Sequence, residues 1–445
     1  MGIDKDIHIA IIGAGMGGLA TALALARAGF TRIHVYERAS DLGFVGAGIQ
    51  LAPNMARILD RLGVWGPIAK DATALEGASI RKGTTNEELA LSDLTWISES
   101  YGCKHSVGHR ASLAGELYEG CKRERAVRFF FSSPVTGINT FAPKPNFSVS
   151  PRRNTGEPYT VTCDVLLGAD GVKSQIRVAM LQELAIDAKV VDSGQAAYRI
   201  MLKREQMEKD PELLELIDGN RTTRWIGEKK HIIAYPVASK NIYNISTAHP
   251  DTNFAAAPDE TYTTRGNKES MLSVYSDFAP VIQKMLNMVP DGELCEWKLR
   301  VHQPLPTWVH GTTALIGDAC HPTLPHMNQG AAQAIEDAAV VSIALAKSPD
   351  SSSESISKSL RVYERLRKER AEAVVAIAAA NGKEMQLGDG AAAAERDAAF
   401  KAFRENGGEG RVPDKAADKG VLSFVYAWDA MKETEEQYDS IYATL

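Results

Sequence analysis

The sequence predicts an α/β (α+β) fold in which a Rossmann-like domain is combined with a mixed-sheet domain and C-terminal helices. Three observations support this prediction. A strand–helix–strand pattern opens the chain, three apolar runs far apart in the sequence each end in a glycine-containing turn, and residues 186–300 alternate apolar and polar side chains. Together they indicate one parallel sheet assembled from discontinuous segments and a second, half-buried sheet.

The N-terminal pattern is the first of these elements. Residues 7–12 (IHIAII) form an apolar run that stops at Gly13, and residues 19–28 are rich in helix formers. Residues 33–36 (IHVY) form a second short strand that ends before Glu37. The spacing predicts a β-α-β unit of about 30 residues.

The turn of this unit carries a GxGxxG pattern formed by Gly13, Gly15 and Gly18. The first glycine permits a tight turn, the second allows a pyrophosphate to approach the backbone, and the third allows close helix–strand packing. Glu37 follows Gly13 by 24 residues, where a carboxylate can accept hydrogen bonds from ribose hydroxyls. The alternatives are an ordinary glycine-rich turn and a solvated strand-end charge.

Two further turns predict the nature of the dinucleotide. Residues 160–167 form an apolar run followed by Gly168–Gly171, and residues 313–316 form another followed by Gly317 and Asp318. A helix with apolar residues at helical spacing begins at Gly330. A single GxGxxG combined with two distant Gly/Asp turns favours FAD over a nicotinamide dehydrogenase.

The length of 445 residues favours two domains. The polar stretch 348–359 indicates a loop, and the composition of 360–384 indicates a helix. We predict a discontinuous nucleotide-binding domain of residues 1–75, 103–185 and 300–347. A substrate-binding sheet domain comprises residues 76–102 and 186–299, and a C-terminal helical segment comprises residues 348–445.

Composition excludes several classes of protein. The net charge of −6 argues against a nucleic-acid partner. Five cysteines, an odd number without a CxxC pair, argue against a disulfide framework and favour a reducing compartment. The chain shows no signal peptide and no run of about 18 apolar residues, so we expect a cytoplasmic protein without a membrane span. The spacing of His321 and His326 does not suit a metal site.

Three motifs in order carry a family resemblance: GAGMGG (13–18), GADGVKSQIR (168–177) and GDACHPTLPHMNQGAAQAIEDA (317–338). The sequence resembles the group A FAD-dependent aromatic monooxygenases, the salicylate hydroxylase and p-hydroxybenzoate hydroxylase family, and in particular their fungal salicylate-hydroxylase-like branch. The resemblance implies a p-hydroxybenzoate hydroxylase-like fold and FAD as the cofactor. It also implies NADPH or NADH as co-substrate, with no separate nicotinamide domain.

The resemblance also implies which residues hold FAD. The glycines of the first motif and Glu37 match the adenosine and pyrophosphate site, and the helix that starts at Gly330 directs its N–H groups at the flavin N1/O2 edge, where reduced flavin is anionic. The sequence departs from many relatives at Met327 and Asn328, where another glycine is common. The remaining matches are Arg38 along the adenine, Gly48 in a loop (46–50) beside the ring, Arg110 at the phosphates, Asp170 in the middle motif, Asp318 at a ribityl hydroxyl, Pro325 beside the ring, and Ala331 with Gly330 at N1/O2.

Candidate catalytic residues lie in the segments AAYRIML and HIIAYPV, which contain Arg199 and Tyr235. In the family pattern these bind a phenol as its phenolate. Strand alternation places His231, Ile233 and Tyr235 on one face, so His231 is a third candidate. The alternatives are a core tyrosine for Tyr235, a salt-bridge partner for Arg199 and a strand-end surface residue for His231.

The implied function is a monooxygenase that consumes NAD(P)H and O2 and hydroxylates an aromatic, phenolic substrate through a C4a-hydroperoxyflavin. Its partners would be the small aromatic substrate and O2, and the chain would be a monomer or homodimer. Two alternatives remain open: an epoxidase of an indole or alkene, and a non-oxygenating flavoprotein reductase or FAD-binding protein. A flavin halogenase is disfavoured because the sequence has no WxWxIP.

Overall fold

The computed structural model describes residues 2–43, 47–151, 156–187, 190–252, 263–290, 292 and 294–445. Gly46, part of the loop predicted beside the flavin ring, lies outside the described residues. No helix among the described residues is long and apolar enough to cross a membrane.

The strands and helices alternate along most of the chain and give way to helices alone at its C-terminal end. The strands are β1 (Ile9–Ile12), β2 (Ile33–Tyr36), β3 (Gly48–Leu51), β4 (Thr73–Ala74), β5 (Gly77–Lys82), β6 (Glu88–Asp93), β7 (Ser106–His109), β8 (Val127–Phe130), β9 (Val135–Thr140), β10 (Asn146–Val149), β11 (Tyr159–Thr162), β12 (Val165–Gly168), β13 (Val190–Lys203), β14 (Arg221–Gly227), β15 (Lys230–Val237), β16 (Ile242–Pro250), β17 (Thr263–Arg265), β18 (Cys295–His302), β19 (Val309–His310) and β20 (Thr313–Leu315). The helices are α1 (Met16–Arg27), α2 (Pro53–Arg61), α3 (Trp65–Asp71), α4 (Trp96–Tyr101), α5 (Arg110–Arg123), α6 (Gln175–Glu183), α7 (Arg204–Met207), α8 (Pro211–Asp218), α9 (Lys268–Val274), α10 (Pro280–Asn287), α11 (Gly330–Ala346), α12 (Ser353–Met385), α13 (Ala391–Glu405), α14 (Lys419–Ala427) and α15 (Ala430–Thr444), with 3₁₀ turns at Gly317–Ala319 and Pro325–Met327.

The Rossmann-like sheet has the strand order β19-β20-β12-β1-β2-β8. β1 pairs in parallel with both β12 and β2, and β12 pairs in parallel with β20. The fold class is therefore confirmed: strands far apart in sequence form one parallel sheet. All residues of β1 and β12 are buried, because helices and other chain segments cover both faces of a parallel sheet.

The single strand predicted over 160–167 is wrong in one respect, because the chain turns at Cys163 and Asp164. β11 belongs to a three-stranded sheet with β10 and β9, whereas β12 joins the Rossmann-like sheet. Asp164 accepts a hydrogen bond from the backbone N–H of His8 at 2.7 Å through its side chain, and its own N–H donates to the His8 carbonyl. These bonds anchor the turn where β12 enters the sheet.

The second large sheet has eight strands in the order β17-β18-β13-β16-β15-β14-β5-β6. β5 and β6 come from residues 77–93 and join β14 in parallel, so two distant segments share one sheet. One face packs on α8, α9 and α10 through a buried apolar cluster. The opposite face borders a cavity beside the Rossmann-like sheet and also packs on the C-terminal helices. The division into domains stays a prediction.

The C-terminal helices pack on both parts of the molecule: α12 and α15 pack against α11, α13 against β6, and α14 against α2. The loop predicted over 348–359 is too long, since α12 already begins at Ser353, where the Ser352 side chain accepts a hydrogen bond from the Ser355 N–H. Buried charges join α11 to α12: the carboxylates of Glu336 and Asp337 pair with Arg367 at 2.5 and 2.8 Å. This ion cluster lies beneath the turn that carries Asp318.

Candidate active site

Two adjoining cavities lie between the carboxyl ends of the Rossmann-like strands and the open face of the eight-stranded sheet. We call them the inner cavity, of about 360 Å³, and the outer cavity, of about 470 Å³. Ligands of open α/β sheets bind at this edge. Of the predicted site residues, the inner cavity is lined by Gly15, Gly48, Arg110, Arg199, His231, Tyr235, Asp318, Pro325, Gly330 and Ala331, and the outer cavity by Gly15, Glu37, Arg110 and Arg199.

The glycines of the first motif play different physical roles. Gly13 has φ +102°, and a Cβ there would lie 2.5 Å from the Ala169 carbonyl oxygen. A Cβ on Gly18 would lie 2.0 Å from the Gly13 carbonyl oxygen, so neither position tolerates a side chain. A Cβ on Gly15 would meet no atom within 4 Å, and Gly15 borders both cavities. Gly13 and Gly18 shape the turn, and Gly15 leaves its backbone open to a ligand.

Glu37 lines the outer cavity directly beside this turn. Its carboxylate accepts hydrogen bonds from the backbone N–H groups of Ala14 at 2.9 Å and Ala39 at 2.8 Å. An ionised carboxylate has about four lone-pair sites, so capacity remains for ribose hydroxyls. The neighbouring Arg38 is exposed and lines neither cavity.

Asp170 does not line either cavity, although it belongs to the middle motif. Its carboxylate accepts from the N–H groups of Gln175 at 2.7 Å and Ile176 at 3.3 Å, at the start of α6. Burial raises the pKa of Asp170 against the opposing effect of these hydrogen bonds. The buried Arg177 donates to the carbonyls of Val172 and Ala319, a role that the sequence motif did not reveal. This motif holds the turns around the site in place.

The residues expected at the flavin lie together in the inner cavity. The N-cap residue of α11, Gln329, makes no side-chain capping hydrogen bond. The first N–H groups of a helix have no partner within the helix, so the start of α11 at Gly330 offers donors and a positive dipole end to the cavity. Asp318 faces the same space, and enclosure by the protein raises its pKa while His321 and Arg110 oppose the shift. These features fit the anionic edge and the ribityl chain of FAD.

Buried hydrogen bonds fix the turn that carries Asp318. The Asp337 carboxylate accepts from the Gly317 N–H at 2.9 Å and lies 2.5 Å from the His321 ring nitrogen. Burial alone would raise the pKa of Asp337, but the charges of His321 and Arg367 lower it to about 2. The turn at Gly317 is thereby fixed relative to α11 and α12.

The substrate face is organised by strand register. Arg199 pairs across strands with Ser246, Ser246 with Ile233, and Ile233 with Arg224, so these four residues form one row across the sheet. All four line the inner cavity. We call this row the cavity floor.

Arg199 is held at one end of the cavity floor. Its guanidinium lies 5.4 Å from the Trp297 ring centroid, and it forms no ion pair within the part of the chain that the structure describes. Burial and the neighbouring Arg110 charge lower the pKa of Arg199, whereas Tyr235 and Asp318 oppose this. The salt-bridge alternative for Arg199 therefore has no support in the described contacts.

Tyr235 and His231 line the cavity as strand alternation predicts. Burial raises the pKa of Tyr235 although the Arg199 charge opposes the shift, so its hydroxyl stays protonated and can donate. His231 is 3% exposed and therefore not a surface residue. Burial and the nearby His326 and Arg224 lower its pKa well below the usual value, so the ring is neutral. Four residues along a strand separate it from Tyr235 by about 13 Å.

Three polar residues of the cavity were missed by sequence reasoning. Asn244 and Ser246 alternate along β16 on the face that Tyr235 shares, and Arg224 lies on β14. The loop predicted over 46–50 is too long, since β3 already begins at Gly48; we keep the name ring loop for residues 47–50. The Asn244 side-chain oxygen accepts from the Gly48 N–H at 2.7 Å, which ties the ring loop to the sheet. The alternating polar residues of the segment NIYNIST could have indicated Asn244 and Ser246 as cavity residues. No local sequence pattern distinguished Arg224 from other arginines of the chain.

This fold and site define an FAD-binding oxygenase of the p-hydroxybenzoate hydroxylase type. Residues 6–378 match the family model described as "FAD binding domain". The FAD-dependent monooxygenase atnJ of an Arthrinium species is 31% identical over 433 residues, 97% of this chain and 96% of the relative. The chain therefore belongs to the FAD-dependent monooxygenases, with FAD as cofactor and a reduced nicotinamide as the usual electron donor of the family.

Other relatives and solved structures agree with this assignment. 3-Hydroxybenzoate 6-hydroxylase 1 of Aquipseudomonas alcaligenes is 32% identical over 354 residues, which cover 77% of this chain and 82% of the relative. A salicylate hydroxylase substrate complex has a TM-score of 0.77 at 23% identity, over 97% of this chain and 98% of that one. CtdE in complex with FAD and substrate has a TM-score of 0.80 at 18% identity, over 99% of both chains. These structures confirm the predicted fold.

Proposed function

We propose that this monooxygenase hydroxylates a phenol, which Arg199 and Tyr235 bind as its phenolate. The observation that supports this most directly is the lining of the inner cavity, where Arg199, which has no ion pair among the described residues, and the protonated Tyr235 border the same space as the start of α11. Bound FAD would supply the redox chemistry, passing two electrons from the reduced nicotinamide to O2, so that one oxygen atom of O2 enters the substrate and the other leaves as water.

The chain's own groups account for activation of the substrate. A phenolate attacks an electrophilic oxygen far more readily than the neutral phenol does. A cation and a hydrogen-bond donor beside the phenol oxygen favour its charged form and lower its pKa. Arg199 supplies the cation, and Tyr235 supplies the donor because burial keeps its hydroxyl protonated.

Positioning and exclusion of water come from the ring loop and the sheet. A Cβ at Gly48 would lie 2.5 Å from Asn244 and 2.7 Å from Tyr235, so the loop lies directly on the substrate face. Close packing here removes water from the reacting groups and strengthens their electrostatic interactions. We assign the cofactor contacts to Gly15, Glu37, Arg110, Asp318 and the start of α11.

The neutral His231 is proposed as a hydrogen-bonding group for the distal part of the substrate. Its Nδ1 lies 3.2 Å from the Gln386 side-chain nitrogen, which leaves the other ring nitrogen for a ligand. Because His231 lies about 13 Å from Tyr235 along the strand, one aromatic ring does not contact both. The cavity therefore suits a phenol that carries a further substituent.

The test is an activity screen of the FAD-loaded protein with NADH or NADPH over phenols, benzoates and indoles. Nicotinamide oxidation, O2 consumption, H2O2 release and product are measured in parallel. We expect a phenol to give product in proportion to O2, and Arg199→Ala to lose product while it retains FAD. Product from an indole but from no phenol would replace this proposal with epoxidation.

A further inference from the structure

The two arginines of the cavity floor differ in one respect that bears on the substrate. Arg199 and Arg224 lie at opposite ends of the row, three strand spacings or about 14 Å apart. Between them lie Ser246 and Ile233. A ligand on the floor therefore has a guanidinium at each end.

The charge of Arg224 is already neutralised by the protein. Its Nη1 donates to the Asp414 carboxylate at 2.9 Å, and the two side chains are 3% and 4% exposed. Its Nη2 donates to the His326 carbonyl at 3.3 Å. The same Asp414 oxygen accepts from the Asn381 side chain at 2.9 Å, so the pair is fixed by a third buried group.

Little of the Arg224 side chain is free to contact a ligand. Its Nε has no hydrogen-bond partner among the described residues, but this atom is buried, and the whole side chain is 3% exposed where it lines the inner cavity. A ligand therefore meets Arg224 as a compensated charge. A neutral oxygen can pack against it without bringing a second negative charge close to Asp414.

The other groups at this end are neutral as well. Burial and the Arg224 charge lower the pKa of His326 to about 3, and His231 is neutral for the same reasons. Their rings lie 5.1 Å apart. Neither imidazole compensates a carboxylate, and transfer of an uncompensated carboxylate out of water is strongly unfavourable.

We infer that Asp414 is a specificity-determining residue, and that the site accepts phenols with a neutral oxygen-bearing substituent at Arg224 in preference to phenols with a carboxylate there. The anionic phenolate oxygen lies at Arg199, and a neutral carbonyl or amide oxygen lies at the Arg224 end of the row. This inference rests on the proposed function and names its substrate class. It also separates this chain from the relative whose name specifies 3-hydroxybenzoate.

The experiment compares two ligands of nearly equal shape that are long enough to reach from Arg199 to Arg224, 4-hydroxycinnamamide and 4-hydroxycinnamate. Each is titrated into the FAD-loaded protein, and the dissociation constant is read from the change in flavin absorbance. For the natural sequence we expect the amide to bind at least about tenfold more tightly, equivalent to about 1.4 kcal/mol. This measurement needs no variant, so it holds whether or not the variants fold.

Three variants test whether the Arg224–Asp414 ion pair causes this preference. Asp414→Asn keeps the shape but frees the Arg224 charge, and it should shift the affinity ratio toward the cinnamate by about tenfold or more. Asp414→Asn combined with Arg224→Gln removes the charge again and should cancel that shift. Asn381→Ala disturbs the same buried corner without a change of charge and should keep the original ratio.

The outcomes separate this inference from the proposed function. Equal or tighter binding of 4-hydroxycinnamate by the natural sequence would overturn the specificity inference and leave phenol binding intact. An unchanged ratio in a folded Asp414→Asn protein would overturn the role of Asp414. If neither ligand perturbs the flavin, the proposed phenol function itself fails, and the inference fails with it.

Discussion

Replacement of Tyr235 by phenylalanine tests phenolate activation most directly. The ring should stay packed against the ring loop, because the atom of Tyr235 nearest to a Cβ built on Gly48 is the ring carbon Cε2, at 2.7 Å, and only the hydroxyl is lost. A hydrogen bond to a charged group contributes about 1.5–3 kcal/mol. Its loss should reduce kcat/KM by about 10- to 100-fold.

The same variant should change the pH dependence. Arg199 remains, so the substrate still ionises, but one donor to the phenolate is gone. A loss of about 1.5–3 kcal/mol corresponds to a rise of about 1–2 units in the substrate pKa. The acid limb of the kcat/KM profile should therefore move to higher pH, and a larger share of reducing equivalents should appear as H2O2.

The assay measures nicotinamide oxidation, product and H2O2 over a pH series for both enzymes. Tyr243→Phe is the matched control, since Tyr243 is a buried tyrosine of the adjacent strand that faces the opposite side of the sheet. The control should keep rate, coupling and pH profile. A Tyr235→Phe enzyme with all three unchanged would refute phenolate activation while leaving the monooxygenase class intact.

Three further predictions concern cofactor, loop and stability. Asp318→Ala should weaken FAD retention, measured by ultrafiltration of the yellow protein, because a ribityl hydroxyl loses its acceptor; unchanged retention would remove Asp318 from the site. Gly48→Ala should lower product yield per nicotinamide oxidised, because its Cβ would lie 2.5 Å from Asn244; full coupling would show that the loop adapts. Burial lowers the pKa of His105 to about 4 in the folded protein. As the pH falls from 7 to 5, this histidine therefore takes up a proton in the unfolded chain but stays neutral in the folded protein, and the folded state loses stability. The free energy of unfolding in urea should drop by about 2 kcal/mol from this residue, and His105→Gln should lack that part of the drop; an identical pH dependence in the variant would contradict it.

Local pattern accounts for much of the nucleotide-binding half. The strand at residues 7–12, the glycine turn and Glu37 lie close together in sequence, so spacing alone predicts their geometry. The same applies to the shared face of His231, Ile233 and Tyr235, because alternation is a property of one strand. Element boundaries were less predictable: α12 starts within a serine-rich stretch because Ser352 caps it.

The surroundings of these residues depended on the tertiary structure. His231 is buried because it lies beside His326 and Gln386, which is 155 residues away in sequence. Asp170 belongs to a recognisable motif, yet its carboxylate caps α6 and does not line a cavity. A motif specifies a residue type at a position but not the direction of its side chain.

By itself, the sequence determined the fold class, the FAD fingerprint and the candidates Arg199 and Tyr235, since these follow from short spacings and motif resemblance. The tertiary structure alone decided that Arg199 and Arg224 bracket one row of the sheet, and that Asp414, 190 residues from Arg224, neutralises only one of them. Strand register and ion pairing across such distances arise when separate segments pack together. No local pattern in the chain encodes them.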